Sequence, residues 1–221
     1  MTDDKREFWE ETWSEMDGEV TEPDGILISE ISVLIPGRAL EFGCGMGANA
    51  VWLAEQGWQV TAADFSSAAI DRAKQLAGER GVDVDFVVAD ASIYRPAGEF
   101  DLVTSFYVQL APDKRGMMLA TASDVLAPAG TLLFVSHDEA SPPHGWDEDD
   151  HQTLTTPDQI ANELPDLHIE KAIVFDHGED GPHGMHVAKD EEGHEPHHEH
   201  GGGHAHGMSK STVVRAVKAK T

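Results

Sequence analysis

The fold of this 221-residue chain is decided by the stretch Leu40-Glu41-Phe42-Gly43-Cys44-Gly45-Met46-Gly47-Ala48-Asn49. Its apolar start predicts a short buried strand over Arg38–Phe42, and the glycines that follow predict a tight turn. A helix over residues 49–56, ended by Gly57, is expected next. A helix that follows such a turn directs free N–H groups and the positive end of its dipole toward a ligand. The stretch therefore predicts a ligand-binding strand–turn–helix unit.

Strand and helix patterns continue to alternate beyond this unit. Strands are predicted over residues 59–63, 84–88, 102–105 and 131–135, and helices over 66–79 and 113–126. Such alternation is typical of a doubly wound, mostly parallel sheet with helices on both faces. Two further strands, at 169–175 and 212–217, have no helix between them, so we expect an antiparallel pair there. The sequence thus predicts an α/β, Rossmann-like fold.

Three segments lie outside this alternation. Residues 1–36 have apolar side chains at helical spacing, including Phe8, Trp9 and Trp13, and are predicted to form an N-terminal helical segment ahead of a main domain at 37–221. Residues 136–155 are acidic and are predicted to be a loop. Residues 176–209, between the last two strands, are rich in His, Gly, Asp and Glu and are predicted to be a second, long loop.

The composition restricts the class of partner. Acidic residues outnumber basic ones 41 to 15, and the formal charge of −26 repels nucleic-acid phosphates. No apolar run approaches the roughly 20 residues needed to cross a bilayer, and the charged start of the chain lacks the apolar core of a secretory signal. Cys44 is the single cysteine, so no intrachain disulfide can form. We expect a cytoplasmic protein that acts on a small molecule, with neither nucleic-acid nor membrane partners and an oligomeric state that composition leaves open.

Acidic residues at the predicted strand ends narrow the choice of ligand. Asp64 ends the second strand, Asp90 ends the third, and Glu41 precedes the first glycine by two residues. A carboxylate at the end of the second strand can accept hydrogen bonds from both hydroxyls of a ribose. A carboxylate at Asp90 could accept one from the exocyclic amine of adenine. So many acids suit a cationic, amine-bearing ligand better than a pyrophosphate.

The glycine spacing leaves one alternative cofactor open. Gly43, Gly45 and Ala48 also fit the dinucleotide-binding fingerprint. A nicotinamide-dependent oxidoreductase is therefore an alternative, although such enzymes usually need a further substrate domain, for which little chain remains.

The run Glu41-x-Gly43-Cys44-Gly45-x-Gly47, with Asp64 and Asp90 ending the next two strands, resembles the class I S-adenosylmethionine-dependent methyltransferases over about residues 38–135. The resemblance implies that the last strand is antiparallel and inserts between the fifth and sixth, giving the order 3-2-1-4-5-7-6. Residues 37–61 are similar to the small-molecule branch that includes thiopurine S-methyltransferase and the tellurite-resistance methyltransferases. This branch implies methyl transfer to a thiol, a thiopurine-like compound or a chalcogen oxyanion.

The resemblance also implies a set of cofactor contacts. They are Glu41, Gly43, Gly45, Gly47, Asp64, Phe65, Asp90, Ala91, Ser105 and Phe106. The glycines would line the methionine and ribose portion of S-adenosylmethionine, and Glu41 would support the loop and the methionine amine. Asp64 would bind the ribose hydroxyls, with Phe65 packing on the adenine. Asp90 would bind the adenine amine with Ala91 beside it. Ser105 and Phe106 would border the sulfonium.

Histidines supply the remaining candidates. His137 follows the fifth strand at the carboxyl edge, where ligands bind in such sheets. It could be a general base, an acceptor contact, or a loop histidine without a role. Imidazoles interleaved with glutamates in the long loop suit zinc or nickel. The candidate ligands are His194, His197, His198, His200, His204 and His206.

The histidine-rich loop suggests an alternative function. If the sixth strand is parallel to the first five, the loop leaves the sheet at the cofactor edge and could act as a metal-responsive lid. The chain would then be a metal-binding or metal-responsive protein on a methyltransferase scaffold. The competing interpretation is an unstructured acidic loop that binds metals only adventitiously.

Overall fold

The computed structural model describes residues 3–15, 21–143, 145–177 and 210–220. The elements in these ranges are α1 (Asp3–Glu15), α2 (Gly25–Ile31), β1 (Arg38–Phe42), α3 (Ala48–Glu55), β2 (Gln59–Asp64), α4 (Ser67–Arg80), β3 (Val84–Val88), β4 (Phe100–Phe106), α5 (Pro112–Val125), β5 (Leu126–His137), α6 (Glu148–His151), α7 (Pro157–Asn162), β6 (Leu167–Asp176) and β7 (Lys210–Lys218). None of the helices in these ranges is long and apolar enough to cross a membrane.

The strands form one seven-stranded sheet in the order β3-β2-β1-β4-β5-β7-β6. Strands β1 to β5 pair in parallel. Strand β7 is antiparallel to both of its neighbours, so β6 runs parallel to β5. This arrangement confirms the predicted strand order and the antiparallel final strand. The carboxyl ends of β1 to β6 therefore lie at one edge of the sheet, which we call the carboxyl edge.

The sheet is covered on both faces because its buried strands alternate their side chains between two apolar clusters. In β1, Leu40 and Phe42 belong to the cluster that includes residues of α5 and the α7 region. Ala39 belongs to the opposite cluster, which includes residues of α2, α3 and α4. Both clusters are apolar, so the hydrophobic effect fixes the sheet between two helical layers.

Two segments differ from the sequence prediction. Strand β5 was expected over 131–135 but spans Leu126–His137, because Leu126 already pairs with Phe100 of β4. The segment predicted as an acidic loop begins within β5 and contains the short helix α6. The N-cap of α6 is Asp147, whose side chain accepts from the Asp150 N–H in a capping box.

Helix α2 is attached to strands β6 and β7, at one side of the sheet. The Asp24 side chain caps the helix by accepting from the Ile26 N–H at 2.7 Å. Near its other end, Glu30 forms ion pairs with Lys171 of β6 and with Arg215 of β7. The last two strands therefore hold α2 in place. The division of the chain at residue 36 stays a prediction.

Candidate cofactor site

The turn between β1 and α3 is closely packed. Gly43, Gly45 and Gly47 have φ values of 69°, 50° and 84°, in the left-handed region that favours glycine. A Cβ at Gly43 would lie 2.4 Å from Val108 Cγ2, and one at Gly47 would lie 2.7 Å from Ala73 Cβ. Neither position has room for a side chain. Glycine at these positions therefore lets the turn pack closely against Val108 and Ala73.

Asp64 ties the glycine turn to the end of β2. Its Oδ2 accepts from the Gly45 N–H at 2.9 Å, and its Oδ1 accepts from the Ser66 N–H at 2.9 Å. The side chain is 6% exposed. Burial raises the pKa of Asp64, and the two N–H donors oppose that rise. The carboxylate is thereby fixed beside the turn, where a ribose was expected.

Glu41 is a buried carboxylate behind the same turn. It is 1% exposed and hydrogen-bonds with the Asn49 side chain and the Ala50 backbone at the start of α3. Its Oε2 has no hydrogen-bond partner among the described residues. Burial raises the pKa of Glu41 to about 7, and the nearby Asp64 adds to the rise. A buried, partly unsatisfied carboxylate fits a cationic amine, so the residues present suit the aminoacyl end of S-adenosylmethionine.

The candidate adenine contacts follow β2 and β3. Asp90 Oδ1 accepts from the Ser92 N–H at 2.9 Å and from the Ser92 hydroxyl at 2.7 Å. Ala91 is 9% exposed and packs in the core, whereas Phe65 is half-buried. Because β2 and β3 are adjacent and parallel, Phe65 and Asp90 lie at neighbouring strand ends of the carboxyl edge.

The two residues expected at the sulfonium are largely core residues. The Ser105 hydroxyl donates to Met118 Sδ at 3.9 Å, so this side chain faces α5. Phe106 is 8% exposed and packs in the cluster that contains Cys44 and Val135. Any contact of Ser105 with a cofactor would come from its backbone.

Helix α1 lies across the glycine turn. The Trp13 ring is 3.5 Å from the position that a Cβ at Gly45 would take, and its centroid is 5.6 Å from that of Trp9. Glu10 Oε1 accepts from the Ser67 hydroxyl at 2.8 Å, at the N-terminus of α4. The N-terminal helix therefore covers part of the candidate site.

His137 lies at the carboxyl edge as predicted, within an aromatic group that the sequence did not reveal. It is 6% exposed, and its ring centroid is 4.9 Å from Tyr107 and 4.9 Å from Trp146. The Tyr107 hydroxyl lies 3.1 Å from Ser211 Oγ. The position of Tyr107, two residues after the end of a predicted strand, was the only signal that could have singled it out.

The predicted metal ligands His194, His197, His198, His200, His204 and His206 lie outside the described residues. Within the described ranges, no group of three or more His, Cys, Asp or Glu side chains could hold a metal ion.

The central part of the chain matches a family of known proteins. Residues 39–130 match the family described as "Methyltransferase domain". The ribosomal RNA small subunit methyltransferase C of Alcanivorax borkumensis is 28% identical over 63% of this chain and 42% of its own length. The sarcosine/dimethylglycine N-methyltransferase of Halorhodospira halochloris is 32% identical over 62% of this chain and 53% of its own length. The chain thus spans about half the length of these relatives.

Solved structures share the fold. TehB from Haemophilus influenzae superposes with a TM-score of 0.64 at 15% identity, covering 88% of this chain and 62% of that one. N-methyltransferase NodS from Bradyrhizobium japonicum, in complex with S-adenosyl-L-homocysteine, superposes with a TM-score of 0.58 at 18% identity, covering 97% and 86%.

The strand order and the glycine turn agree with the class I methyltransferase fold, and residues 39–130 match the methyltransferase-domain family. This agreement disfavours the nicotinamide-dependent alternative. The comparisons do not single out the thiopurine or tellurite-resistance branch.

Gly47→Ala should destabilise the protein by about 1–3 kcal/mol, because the new Cβ would meet Ala73 in a left-handed conformation. The matched control is Gly78→Ala in α4, where no atom lies within 4 Å of the new Cβ. The control should stabilise by up to about 1 kcal/mol through helix propensity. Urea unfolding of the two variants measures the difference, and equal stability would contradict the packing described for Gly47.

Glu41→Gln should stabilise the cofactor-free protein above neutral pH. Because the folded-state pKa of Glu41 is raised from 4.5 to about 7, the unfolded chain releases this proton first. Its contribution to the free energy of unfolding therefore falls as pH rises from about 4.5 to about 7. The full loss is about 3 kcal/mol, since one pKa unit corresponds to about 1.4 kcal/mol.

Unfolding at about pH 5 and about pH 8 tests this sign, with the exposed Glu99→Gln as control. Glu41→Gln should gain stability over the native protein only at the higher pH. It should also weaken S-adenosylmethionine binding about tenfold by removing a charge. A variant no more stable than the native protein at the higher pH would show that Glu41 is not held at a raised pKa.

Proposed function

We propose that this protein transfers a methyl group from S-adenosylmethionine to a small-molecule acceptor. The observation that carries the proposal is the buried Glu41 carboxylate, with its unsatisfied Oε2, behind a glycine turn braced by Asp64. A cationic, amine-bearing adenosyl compound complements these groups better than a phosphate does. When bound, S-adenosylmethionine supplies an electrophilic methyl group on a sulfonium.

The residues proposed to hold the cofactor are those implied by the resemblance. Glu41 and the turn of Gly43, Gly45 and Gly47 would hold the methionine portion, and Asp64 would bind the ribose. Phe65, Asp90 and Ala91 would bind the adenine, while Ser105 and Phe106 would border the sulfonium. The meeting of these positions at the carboxyl edge supports the assignment. The chain's own contribution would be to align donor and acceptor in a water-poor cleft.

The methyl donor is proposed to be one compound, whereas the methyl acceptor is proposed only as a set of chemical classes. A thiol, a thiopurine-like compound or a chalcogen oxyanion follows from the resemblance alone, and His137 is a candidate acceptor contact. The named relatives differ in their substrates, since one is a ribosomal RNA methyltransferase and another a sarcosine/dimethylglycine N-methyltransferase. The formal charge of −26 favours a small molecule over RNA. A cytoplasmic site of action, suggested by the single cysteine, belongs to the same proposal.

Calorimetric titration with S-adenosylmethionine, S-adenosylhomocysteine and NAD tests the proposed cofactor. The protein should bind both adenosyl compounds and not NAD. Asp64→Asn should weaken binding about tenfold or more, because it disturbs both the ribose contact and the turn. The exposed Asp83→Asn serves as control. A folded protein without affinity for either adenosyl compound would refute the proposal.

A second candidate function is metal binding by the histidine-rich segment. The observation that favours it is the pairing of Asp176 in β6 with Lys210 in β7, which anchors both ends of the segment at the carboxyl edge. The imidazole and carboxylate side chains of the segment suit zinc or nickel.

Deleting residues 178–206 tests this function while keeping His177. The full chain should bind zinc(II) or nickel(II) in calorimetry, and the deletion variant should lose that binding but retain S-adenosylhomocysteine affinity. Equal metal binding by both proteins would exclude the segment as the site.

A further inference from the structure

Four polar side chains form a continuous row along the carboxyl edge. The Asp24 carboxyl, ahead of α2, interacts with the Tyr107 hydroxyl, just after β4. Tyr107 Oη lies 3.1 Å from Ser211 Oγ in β7. Ser211 Oγ lies 2.9 Å from Nε2 of His177, which follows β6. Side chains from four separate parts of the fold thus form one row of groups that can exchange protons.

One end of this row of side chains adjoins the candidate cofactor site. The Asp24 N–H donates to Asn49 Oδ1 at 2.8 Å, and the Asn49 side chain hydrogen-bonds with Glu41. The residue next to Tyr107, Val108, is the one that leaves no room for a Cβ at Gly43. At the other end His177 is only half-buried. The row of side chains therefore connects the cofactor region with the protein surface.

Tyr107 is held in an unusual backbone conformation. Its φ is 54°, in the left-handed region that aromatic residues rarely adopt. The Tyr107 N–H donates to the Val135 carbonyl at 2.8 Å, and the ring packs on His137. Strained, well-supported residues of this kind are concentrated at functional sites. The strain directs the hydroxyl between Asp24 and Ser211.

The row of side chains can carry a proton because each hydroxyl has one hydrogen, which it can donate to the neighbour on either side. With Asp24 ionised, Tyr107 donates to it, Ser211 donates to Tyr107, and His177 Nε2–H donates to Ser211. With Asp24 protonated, all three hydrogen bonds can run the other way, toward a neutral His177 Nε2. Burial raises the pKa of Asp24 and of Tyr107, so the carboxyl accepts a proton readily and the phenol stays neutral.

We propose that this row of groups is the proton outlet for the methyl acceptor, and that the acceptor is a small amine; the inference rests on the proposed methyl transfer. An ammonium must lose a proton before its nitrogen can attack, so it needs an outlet. It is also attracted to the carboxylate of Asp24. A chalcogen oxyanion would be repelled by the same carboxylate.

Methyl transfer to an ammonium conserves atoms and charge. An N–H bond of the ammonium breaks, and its proton passes to Asp24 and leaves through Tyr107, Ser211 and His177. The freed nitrogen lone pair forms the N–CH₃ bond while the methyl carbon's bond to sulfur breaks, with its electron pair remaining on sulfur. Sulfonium and ammonium thus give a sulfide, a methylammonium and one released proton.

Turnover of matched probes tests the proposal. The probes are benzylamine, ethanolamine and dimethylamine against benzyl alcohol, benzyl mercaptan and tellurite, with S-adenosylhomocysteine formation as the signal. We expect the amines to be methylated in preference to the others. At about pH 7, Asp24→Asn and Tyr107→Phe should lower kcat for amines at least about tenfold, with Ser211→Ala and His177→Gln lowering it less. Asparagine can still cap α2, so Asp24→Asn should fold.

The readout that separates a proton outlet from a structural role is pH rescue. The deficit of each variant should shrink at about pH 9–10, because more of the amine probe is then already neutral. Tyr94→Phe and the exposed His168→Gln, at the opposite end of β6, are matched controls that should behave like the native protein. A deficit that persists unchanged at high pH would overturn the outlet.

Binding measurements distinguish a failure of the proposed methyl transfer from a failure of the present inference. All variants should bind S-adenosylhomocysteine within about twofold of the native protein; absence of that binding in the native protein would be a failure of the proposed function itself. Turnover of mercaptan or tellurite but of no amine would overturn the present inference alone. If no probe is turned over, the amines should still bind the protein loaded with S-adenosylhomocysteine, more weakly in Asp24→Asn. No amine binding, or equal binding by that variant, would overturn the inference.

Discussion

The paired hydrogen bonds that Asp64 accepts from the Gly45 and Ser66 N–H groups hold the candidate site together. One carboxylate fixes the middle of the glycine turn to the end of β2 and to the start of α4. The turn has no side chains of its own with which to pack, so its shape depends on such external donors and acceptors. Without this link, the start of α3 and the Glu41 carboxylate behind it would lose their fixed relation to the neighbouring strand ends.

The site also concentrates negative charge in a region with little water. Glu41 and Asp64 are both almost fully buried, and the repulsion between them is part of the reason that the pKa of Glu41 is raised. Such an arrangement is unfavourable in the free protein and becomes favourable when a cation is bound. Two acids buried close together thus favour positively charged ligands over anionic ones, in keeping with the acidity of the whole chain.

The parts of the structure that depend on short-range sequence signals were predictable. Glycines next to an apolar strand predicted the glycine turn, and the resemblance to the methyltransferases implied the strand order. The cofactor roles of Asp64 and Asp90 stay predictions. The Tyr107–Ser211 contact joins residues 104 positions apart, and nothing local to either residue marks it. The true length of β5 was hidden because pairing with Phe100 overrides the turn signals of Pro128 and Gly130. The Ser105 side chain could not be assigned to a face of β4 without the packing of Met118.

Helix α2 is positioned by residues that are far away along the chain. Glu30 pairs with Lys171 and Arg215, which are 141 and 185 residues distant. During synthesis α2 leaves the ribosome before its partners in β6 and β7. Glu30 can therefore form its ion pairs only after β7 has been made. A nascent chain that does not yet include β7 would have the glycine turn but would lack the contacts that hold α2, so its candidate site would be incomplete.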